Sequence, residues 1–416
     1  MVMLSELRRH RLVDARRRTA QLVDLGVDLA AGDYPPVTRV FFRDSRRRQM
    51  EVPWQAVTET NWRRGQWRVT DLTAARAAPP EALTRSVLLV RDVMDALVLD
   101  LAQCQAMRAN DLWLRHEDGQ LCLKAADVSP WAVLRRIGRG LFGRGGERHL
   151  VDWRDVEFLR GNPRAARAGG DYHRRITGLT PSAIARLADD LPYHHAAELL
   201  TLIPDELAAD TLELMAPERQ LQVIEDLDED QTIRLLALMA PDLATDVIGR
   251  LQPEWAQRCL EELPPAQAAR VLELLRYPED TAGGIMTNDV PVASASQCVG
   301  HARRDLRADT DPRDVAPFVY VVDDFEARRL VGMVTLWDLA VAQDATPVGE
   351  LMRPCPTAVD ALDSAASAAR RLLDEHVGAV PVVARDGRLL GVVTLDAAVS
   401  QVLLPNWRER VPRLFS

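Results

Sequence analysis

Regularly spaced prolines constrain the middle of the chain more than any other feature of the sequence. The prolines are Pro192, Pro204, Pro217, Pro241, Pro253 and Pro264, and an acidic segment, DLDED (226–230), fills the one gap in their spacing. Because proline is tolerated in the first turn of a helix and interrupts a helix interior, each one predicts a new helix. Between the prolines, apolar residues recur at helical spacing in segments of about ten residues, or roughly three turns. The pattern predicts a superhelix of short stacked helices over residues 178–278.

Residues 279–404 contain an internal duplication. Three segments of the first copy recur in order in the second: GGIM (283–286) as GELM (349–352), APFVYVVDD (316–324) as AVPVVARDG (379–387), and LVGMVTLWDL (330–339) as LLGVVTLDAA (389–398). The predicted order in each copy is helix, strand, strand, helix, and the apolar runs suit buried strands. We therefore expect two α/β units, at residues 279–345 and 346–404.

Residues 1–160 are predicted to be rich in β-strands and to carry a duplication of their own. Apolar and polar residues alternate on both sides of short turns, as in DLWLRHEDGQLCLKAADV (111–128), which is typical of hairpins. EVPWQAV (51–57) is echoed by LVDWRDV (150–156), and RLVDARRRTAQLVDL (11–25) by LVLDLAQCQAMRANDL (97–112). These echoes predict two small barrel-like halves, residues 1–80 and 81–160, followed by a linker rich in Gly, Arg and Ala at residues 161–177.

The net charge of −9 conceals an asymmetry between the two ends of the chain. Residues 1–180 carry 31 Arg and Lys against 22 Asp and Glu, whereas residues 181–416 carry 21 against 39. A basic region can bind nucleic acid, but this one contains no zinc knuckle and no recognisable nucleic-acid motif. We interpret it as a solvated basic face or as a surface that docks onto the acidic half, and we expect no nucleic-acid partner.

Several classes of protein are disfavoured by the sequence. The five cysteines form no CxxC pair and are interpreted as buried apolar residues in a reducing compartment. The basic opening does not resemble a signal peptide, and no apolar run approaches the ~18 residues of a membrane span. No GxSxG, GxxxxGK or HExxH motif is present. We expect a cytoplasmic protein without a transmembrane segment of its own, and no enzyme.

Two parts of the chain resemble one known family. The duplicated units resemble tandem CBS domains, and the proline-spaced helices followed by YPEDTAGGIMT (277–287) resemble the cytosolic N domain of MgtE-type magnesium transporters and its junction with the CBS pair. Residues 1–160 resemble the PRC-barrel family of small β-barrel adaptors. The expected fold is multi-domain α+β: PRC-like β-barrel repeats, an α-helical superhelix and a tandem α/β CBS pair, ahead of a tail at residues 405–416. The chain ends without the family's membrane domain, so a stand-alone cytosolic region is expected.

The resemblance implies a Mg²⁺ site in which carboxylates of the helical array face the CBS pair. Asp242 and Asp246 are four residues apart on one helix face, and they match an acidic pair that the family uses toward its CBS partner. Glu279 and Asp280 lie at the junction, and Asp363 begins a predicted helix of the second copy. The alternative is that these carboxylates stabilise helix N-termini.

Two further positions bear on cation sensing. Ala384 stands where the family's second CBS unit usually has an Asp after PVV, which removes one expected ligand. The adjacent glycines Gly283 and Gly284 are expected to give the junction backbone angles closed to other residues, and with them mobility.

CBS domains also commonly bind adenine nucleotides through the pattern Gly-h-h-Ser/Thr-x-x-Asp, in which the hydroxyl reaches phosphate and the Asp accepts from the ribose. The first copy keeps Gly332, Thr335 and Asp338, whereas the second has Ala397 at the Asp position. The resemblance thus implies at most one complete site for ATP or AMP. The alternative is that Thr335 and Asp338 cap the helix that follows.

The leading hypothesis for function is a cytosolic Mg²⁺-sensing regulatory protein, with Mn²⁺ as a second candidate ion. It would modulate a separate membrane metal transporter and lie peripheral to the inner membrane through that partner. The first alternative is an adenine-nucleotide-responsive CBS scaffold whose PRC-like head docks a partner, and the second is a structural adaptor without a ligand. Because CBS pairs usually associate face to face, a homodimer is expected.

Overall fold

The computed structural model divides into two compact units, Met1–Leu235 and Leu236–Ser416. It describes residues 2–8, 10–44, 46–61, 64–72, 75–77, 87–117, 119–137, 148–159, 175–309, 318–355, 357–375 and 377–399. The predicted boundary at residue 80, most of the linker 161–177 and the whole tail 405–416 lie outside the described residues.

Fifteen described strands form three sheets in the first unit. They are β1 (Val2–Met3), β2 (Arg11–Asp14), β3 (Thr19–Val27), β4 (Val37–Arg43), β5 (Gln49–Pro53), β6 (Val57–Asn61), β7 (Gln66–Val69), β8 (Arg76–Ala77), β9 (Val87–Leu88), β10 (Leu97–Asp100), β11 (Gln105–Arg108), β12 (Asp111–Glu117), β13 (Gln120–Asp127), β14 (Leu150–Asp152) and β15 (Val156–Phe158). The largest sheet has the order β6-β7-β2-β3-β4-β5-β8, with β9 also pairing with β3. The others are β1-β12-β13-β14 and β11-β10-β15.

The echoed tryptophan segments adopt the same local structure in both halves. Trp54 begins a 3-10 turn between β5 and β6, and Trp153 begins one between β14 and β15. Both indole rings are buried. The segments of the second echo also form corresponding hairpins, β2–β3 in the first half and β10–β11 in the second. The echoed segments thus share local structure, while the division into two repeats and the resemblance to PRC barrels stay predictions.

The two halves of residues 1–160 share one hydrophobic core. Leu12 and Trp67 from the first half pack in the same cluster as Leu112 and Trp153 from the second. Strand β1 pairs with β12 of the second half, and the indole N–H of Trp54 donates to the Gly119 carbonyl at 3.1 Å. Each half therefore supplies apolar surface that the other buries.

Eight short helices follow, seven at the starts that the prolines and the acidic segment predict and one that begins at Pro181. After the short helices α1 (Leu4–Leu7) and α2 (Pro130–Ile137), they are α3 (Pro181–Asp189), α4 (Tyr193–Thr201), α5 (Asp205–Glu213), α6 (Pro217–Asp226), α7 (Glu229–Leu238), α8 (Pro241–Ile248), α9 (Pro253–Glu262) and α10 (Pro265–Leu274). Pro217, Pro241 and Pro253 occupy first-turn positions. At the gap in the proline spacing, the Asp228 carboxylate accepts from the Gln231 N–H at 2.8 Å. In the described part of the chain, no helix combines the length and apolar character needed to cross a bilayer.

The second unit contains two α/β copies with matching topology. The first is built from β16 (Val292–Ser294), α11 (Val299–Asp309), β17 (Phe318–Val322), β18 (Leu330–Thr335) and α12 (Leu336–Val341), and the second from α13 (Val348–Leu351), β19 (Val359–Asp360), α14 (Ala365–Asp374), β20 (Ala379–Val383) and β21 (Leu389–Thr394). In each copy a short strand pairs in parallel with the middle strand, which pairs antiparallel with the third. The predicted duplication is confirmed, with a short leading strand added to each copy.

Each copy lends a segment to the sheet of the other. Thr287, which precedes β16, exchanges two backbone hydrogen bonds of 2.9 Å with Val392 of β21. Arg353, which follows α13, does the same with Met333 of β18, at 2.8 and 2.9 Å. These crossed pairings extend the three-stranded sheet of each copy by one residue pair and tie the copies together.

The junction, residues 277–290, is held against the second copy. The Ala282 N–H donates to the Asp363 carbonyl at 2.7 Å, and the Gly283 N–H donates to the Ala361 carbonyl at 2.8 Å. A β-carbon on Gly283 would lie 2.5 Å from the Tyr277 ring, and one on Gly284 would collide with the Pro278 carbonyl oxygen.

The expected reason for the two junction glycines is therefore wrong. Neither Gly283 nor Gly284 has the positive φ of Gly119 or Gly387. Both are required because the backbone packs too closely for a side chain, which fixes the junction on the second copy rather than loosening it.

Gly284→Ala should destabilise the protein by about 1–3 kcal/mol, because the added methyl group meets backbone that cannot rotate away. The matched control is Gly378→Ala, since a β-carbon there would meet no atom within 4 Å. The free energy of unfolding, measured by urea denaturation, should fall for the first variant and stay level or rise slightly for the second. Equal stability of the two variants would contradict the close packing of the junction.

Candidate functional site

The acidic pair Asp242 and Asp246 lies on helix α8. Asp242 is in the first turn, directly after Pro241, and Asp246 follows one turn later on the same face. Both side chains are half-buried, and α8 packs against α10. A carboxylate in the first turn stabilises the positive end of the helix dipole, so the position of Asp242 is explained without an ion.

The junction acids lie beside Asp363. The Asp280 carbonyl accepts from the Ala365 N–H at 2.8 Å, and the Ala282 N–H donates to the Asp363 carbonyl at 2.7 Å. Asp280 and Asp363 thus flank the antiparallel bridge of Thr281 with Ser364, one on each of the two paired segments. Glu279, Asp280 and Asp363 are all exposed to solvent.

Asp363 stands at the start of helix α14. The hydroxyl of Ser364, its neighbour, accepts from the Ser367 N–H and caps the helix at 3.2 Å. The Asp363 carboxylate accepts from the Asp360 N–H at 3.1 Å. Ala384, the position that departs from the family, packs against the apolar core of the second copy and offers no ligand oxygen.

The predicted cation ligands lie in two groups, one at the junction and one on α8. Asp280 and Asp363 are brought together by backbone pairing, and Glu279 is adjacent in the chain. Asp242 and Asp246 form a separate pair on α8. Across the residues that the structure describes, no three His, Cys, Asp or Glu side chains are grouped so that they could hold a metal ion. A ligand set that joins all five acids stays a prediction.

The predicted nucleotide residues converge at the start of α12. Thr335 is the N-cap residue: its hydroxyl accepts from the Asp338 N–H at 2.9 Å and donates to the Asp338 carboxylate at 2.7 Å. A third residue, which the sequence pattern does not include, completes the cluster. The Arg353 guanidinium donates to the same carboxylate at 3.2 Å. Arg353 reaches this place through the crossed pairing with Met333, which sequence spacing does not reveal.

These contacts keep Asp338 ionised. The hydrogen bond from Thr335, assisted by the charge of Arg353, lowers the pKa of the Asp338 carboxyl below its ordinary value. At neutral pH the cluster thus presents a carboxylate acceptor beside a guanidinium, both on one edge of the first copy.

Gly332 has a packing role in addition to any ligand role. A β-carbon there would lie 2.8 Å from the Arg353 carbonyl oxygen. In the second copy, Gly391 is similarly crowded by the Thr287 carbonyl oxygen. The glycine of the nucleotide pattern is therefore required in both copies by the crossed pairings.

Comparison with known proteins agrees with this architecture. The family model of the MgtE intracellular N domain matches residues 179–280, and that of the CBS domain matches residues 348–403. The magnesium transporter MgtE of Thermus thermophilus is 35% identical over 219 residues, which are 52% of this chain and 48% of that protein. MgtE of Enterococcus faecalis is 35% identical over 130 residues, which are 31% of this chain and 28% of that protein. The chain thus spans about half the length, or less, of these curated relatives.

Two solved structures match the same region. One is the cytosolic domain of the Mg²⁺ channel MgtE in complex with ATP, 31% identical, with a TM-score of 0.52 over 58% of this chain and 96% of that chain. The other is the soluble part of a magnesium transporter, 26% identical, with a TM-score of 0.51 over 56% of this chain and 90% of that chain. Through its helical array and the two α/β copies that follow, the chain belongs to the MgtE family and carries the fold of that family's cytosolic region.

Proposed function

We propose that this protein is a divalent-cation-responsive regulatory protein, with Mg²⁺ as its ion, in which acids of the helical array and of the CBS pair form the responsive site. The observation that supports the proposal is the pairing of the junction with the second copy, in which Asp280 and Asp363 flank the backbone bridge of Thr281 with Ser364. The relatives named as magnesium transporters and a magnesium channel support the choice of ion.

The electrostatics of the acids suit a weakly held, hydrated ion. Mg²⁺ prefers oxygen ligands, keeps several waters and takes one or two carboxylates from a protein. Carboxylates on two paired backbone segments, such as those of Asp280 and Asp363, can contact one ion through its bound waters. Without the cation, exposed carboxylates repel each other weakly. A bound cation attracts both carboxylates and replaces this repulsion. This difference is the free energy available for a conformational response.

The regulated partner belongs to the same proposal. A cytosolic region with this fold would act on a membrane metal transporter, from the cytoplasm or from the inner face of the membrane. In this proposal a separate membrane metal transporter supplies the ion path, and the Thermus relative named as a magnesium transporter is a protein of that kind. The domains present are regulatory in kind, and no catalytic role is proposed for them.

Replacing Asp242 and Asp246 by Asn should remove most of the Mg²⁺ response. If the pair contributes to the ion site, the loss of two negative charges abolishes the protection of the chain by millimolar Mg²⁺ against limited proteolysis. If the pair only stabilises α8, the change costs at most ~1 kcal/mol per residue at every ion concentration. Digestion rates, titrated from chelator to millimolar Mg²⁺, distinguish the two.

The matched control is Glu218→Gln with Glu254→Gln. These acids lie in the first turns of α6 and α9, as Asp242 does in α8, and removing them subtracts the same charge. The control should titrate like the unmodified protein. Superimposable curves for the unmodified protein and the Asp242/Asp246 variant would exclude these carboxylates from the ion site.

A second candidate function is the binding of an adenine nucleotide by the first copy. It is favoured by the cluster of Thr335, Asp338 and Arg353, and by the ATP complex of the related cytosolic domain. A carboxylate has about four acceptor positions, so Asp338 can accept from a ribose while it keeps Thr335 and Arg353. The guanidinium supplies a charge that suits a phosphate.

Asp338→Ala should weaken the binding of ATP or AMP about tenfold or more, since a hydrogen bond to a charged group contributes ~1.5–3 kcal/mol. Asp396→Ala removes an exposed acid from the corresponding region of the second copy and should leave affinity unchanged. Calorimetry with each nucleotide measures both. Absence of binding to the unmodified protein at millimolar nucleotide would remove this candidate.

A homodimer formed through the CBS pair is the proposed assembly. Trp337 and Val341 on α12 are 73% and 63% exposed and lie four residues apart, on one helix face. An exposed apolar patch of this kind favours a protein interface. Phe325, which is 56% exposed in the β17–β18 turn, provides a comparison of similar chemistry.

Replacing Trp337 and Val341 by Ser should shift the protein from dimer to monomer, with dissociation at least about tenfold easier because a central aromatic anchor is lost. Phe325→Ser should leave the dimer intact. Sedimentation equilibrium measures the dimer dissociation constant of each variant. A dimer of undiminished stability in the double variant would place the interface elsewhere.

A further inference from the structure

Two turns of the first unit repeat the same sequence and the same geometry. Residues 14–18 read DARRR and connect β2 to β3, and residues 44–48 read DSRRR and connect β4 to β5. In each, the leading Asp accepts from the backbone N–H groups two and four residues later, at 2.8–3.0 Å. The last Arg returns a side-chain hydrogen bond to that Asp, at 2.8 and 2.9 Å. Each turn therefore neutralises one arginine and presents two others.

The middle arginines take a backbone conformation that non-glycine residues rarely adopt. Arg17 and Arg47 both have φ of 61°. The strain is offset by the Asp-centred hydrogen bonds, since Asp14 and Asp44 each fix their turn at three points. These hydrogen bonds thus hold the backbone of each turn that carries the charged side chains.

Both turns emerge from the same end of the sheet. Strands β2, β3, β4 and β5 are antiparallel neighbours in that order. The connection from β2 to β3 and the connection from β4 to β5 must therefore lie at the same end of the strands. The pairing of Gln21 with Arg43 places the start of β3 beside the end of β4, next to the second turn.

At this end of the strands the structure contains a cleft of about 790 Å³, which we call the arginine cleft. It is lined by Arg8, Arg11, Thr19, Ala20, Gln21, Arg43, Asp44 and Arg47. Four arginines thus face one carboxylate. Partial burial alone would raise the pKa of the Asp44 carboxyl, but the amide and guanidinium of Arg48 hold the pKa below its ordinary value. Asp44 is therefore ionised and already paired with Arg48, which does not line the cleft.

The lining arginines keep their charge available. Within the described residues, no ion pair engages Arg8, Arg11, Arg43 or Arg47, whereas Arg18 and Arg48 are bound to Asp14 and Asp44. Like charges repel one another, so the convergence of four arginines on one cleft costs stability unless an anion enters. Thr19 and Gln21 add neutral donors to the same lining.

We propose that the arginine cleft binds a ligand that carries two or more phosphate groups. Guanidinium groups on two strands, a helix end and a turn can donate to a multiply charged phosphate ligand from different directions at once, whereas a single carboxylate could not accept from all of them. The volume falls within the range of small-molecule sites, about 300–1,000 Å³. The phosphates come from a soluble pyrophosphate compound or from the headgroup of an anionic phospholipid, and both present the same charged oxygens to the cleft.

The test is a titration of the full chain with inorganic pyrophosphate, in chelator so that cations do not compete. The unmodified protein should bind saturably, and binding should weaken with added salt because charges are screened. The variant R8Q/R11Q/R43Q should bind at least about tenfold more weakly for each arginine removed. It leaves Arg47 and its turn unchanged, and the single variant R43Q gives a milder loss in the same direction.

The matched control is R115Q/R154Q/R186Q, which removes the same charge from exposed positions outside the cleft lining. It should bind pyrophosphate within about twofold of the unmodified protein, since distant surface charges are screened. Circular dichroism of all variants checks that the first unit is folded. Equal losses in the control and the cleft variant would overturn the proposal.

Vesicles distinguish the two sources of phosphate. After sedimentation with vesicles that contain cardiolipin, whose headgroup carries two phosphates, the protein should be found in the pellet only if the ligand is a lipid headgroup; vesicles of pure phosphatidylcholine are the comparison. In that case the cleft variant should be absent from the pellet. Binding of pyrophosphate without vesicle binding assigns a soluble ligand. If the unmodified protein binds neither probe, the arginines are a solvated surface and the cleft is not a phosphate site.

Discussion

The crossed pairing of the two α/β copies is the interaction on which the second unit depends. Thr287 joins the sheet of the second copy, and Arg353 joins that of the first. Each pairing requires a glycine in the sheet that it joins, Gly391 for Thr287 and Gly332 for Arg353. A side chain at either glycine would overlap the carbonyl oxygen of the paired residue. Neither copy completes its sheet alone, so burial of one copy stabilises the other. The junction and the nucleotide cluster both lie along these exchanged segments.

Much of this architecture could be predicted from sequence because its signals are local. Proline restricts its own backbone and that of its neighbour, so the spacing from Pro192 to Pro264 reports helix starts directly. The duplicated strands were recognisable because buried strands require long apolar runs. The same holds for the β12–β13 hairpin, where Gly119 has φ of 80°, as a two-residue turn demands.

The sites were predicted less completely because their parts meet through tertiary contacts. Asp280 and Asp363 are far apart in sequence and become neighbours only through the pairing of Thr281 with Ser364. Arg353 reaches Asp338 by the crossed pairing, and no spacing rule connects them. The glycine pair shows the opposite error: a residue type that permits unusual backbone angles is used here for its lack of a side chain. Of the residues that line the arginine cleft, only Asp44 and Arg47 belong to the repeated Asp-x-Arg-Arg-Arg turns, and the other arginines meet there through strand order, which the sequence does not reveal.

The pairing of β1 with β12 has a consequence for the synthesis of the chain. Val2 and Met3 find their partners, Leu114 and Trp113, about 110 residues later. A ribosome that adds 5–20 residues each second needs roughly 6–22 s to deliver those partners. During that interval the apolar start of the chain has no strand to cover it. The first unit therefore gains its complete core only after both halves have emerged from the ribosome. During that interval a chaperone that binds nascent apolar segments can bind the start of the chain.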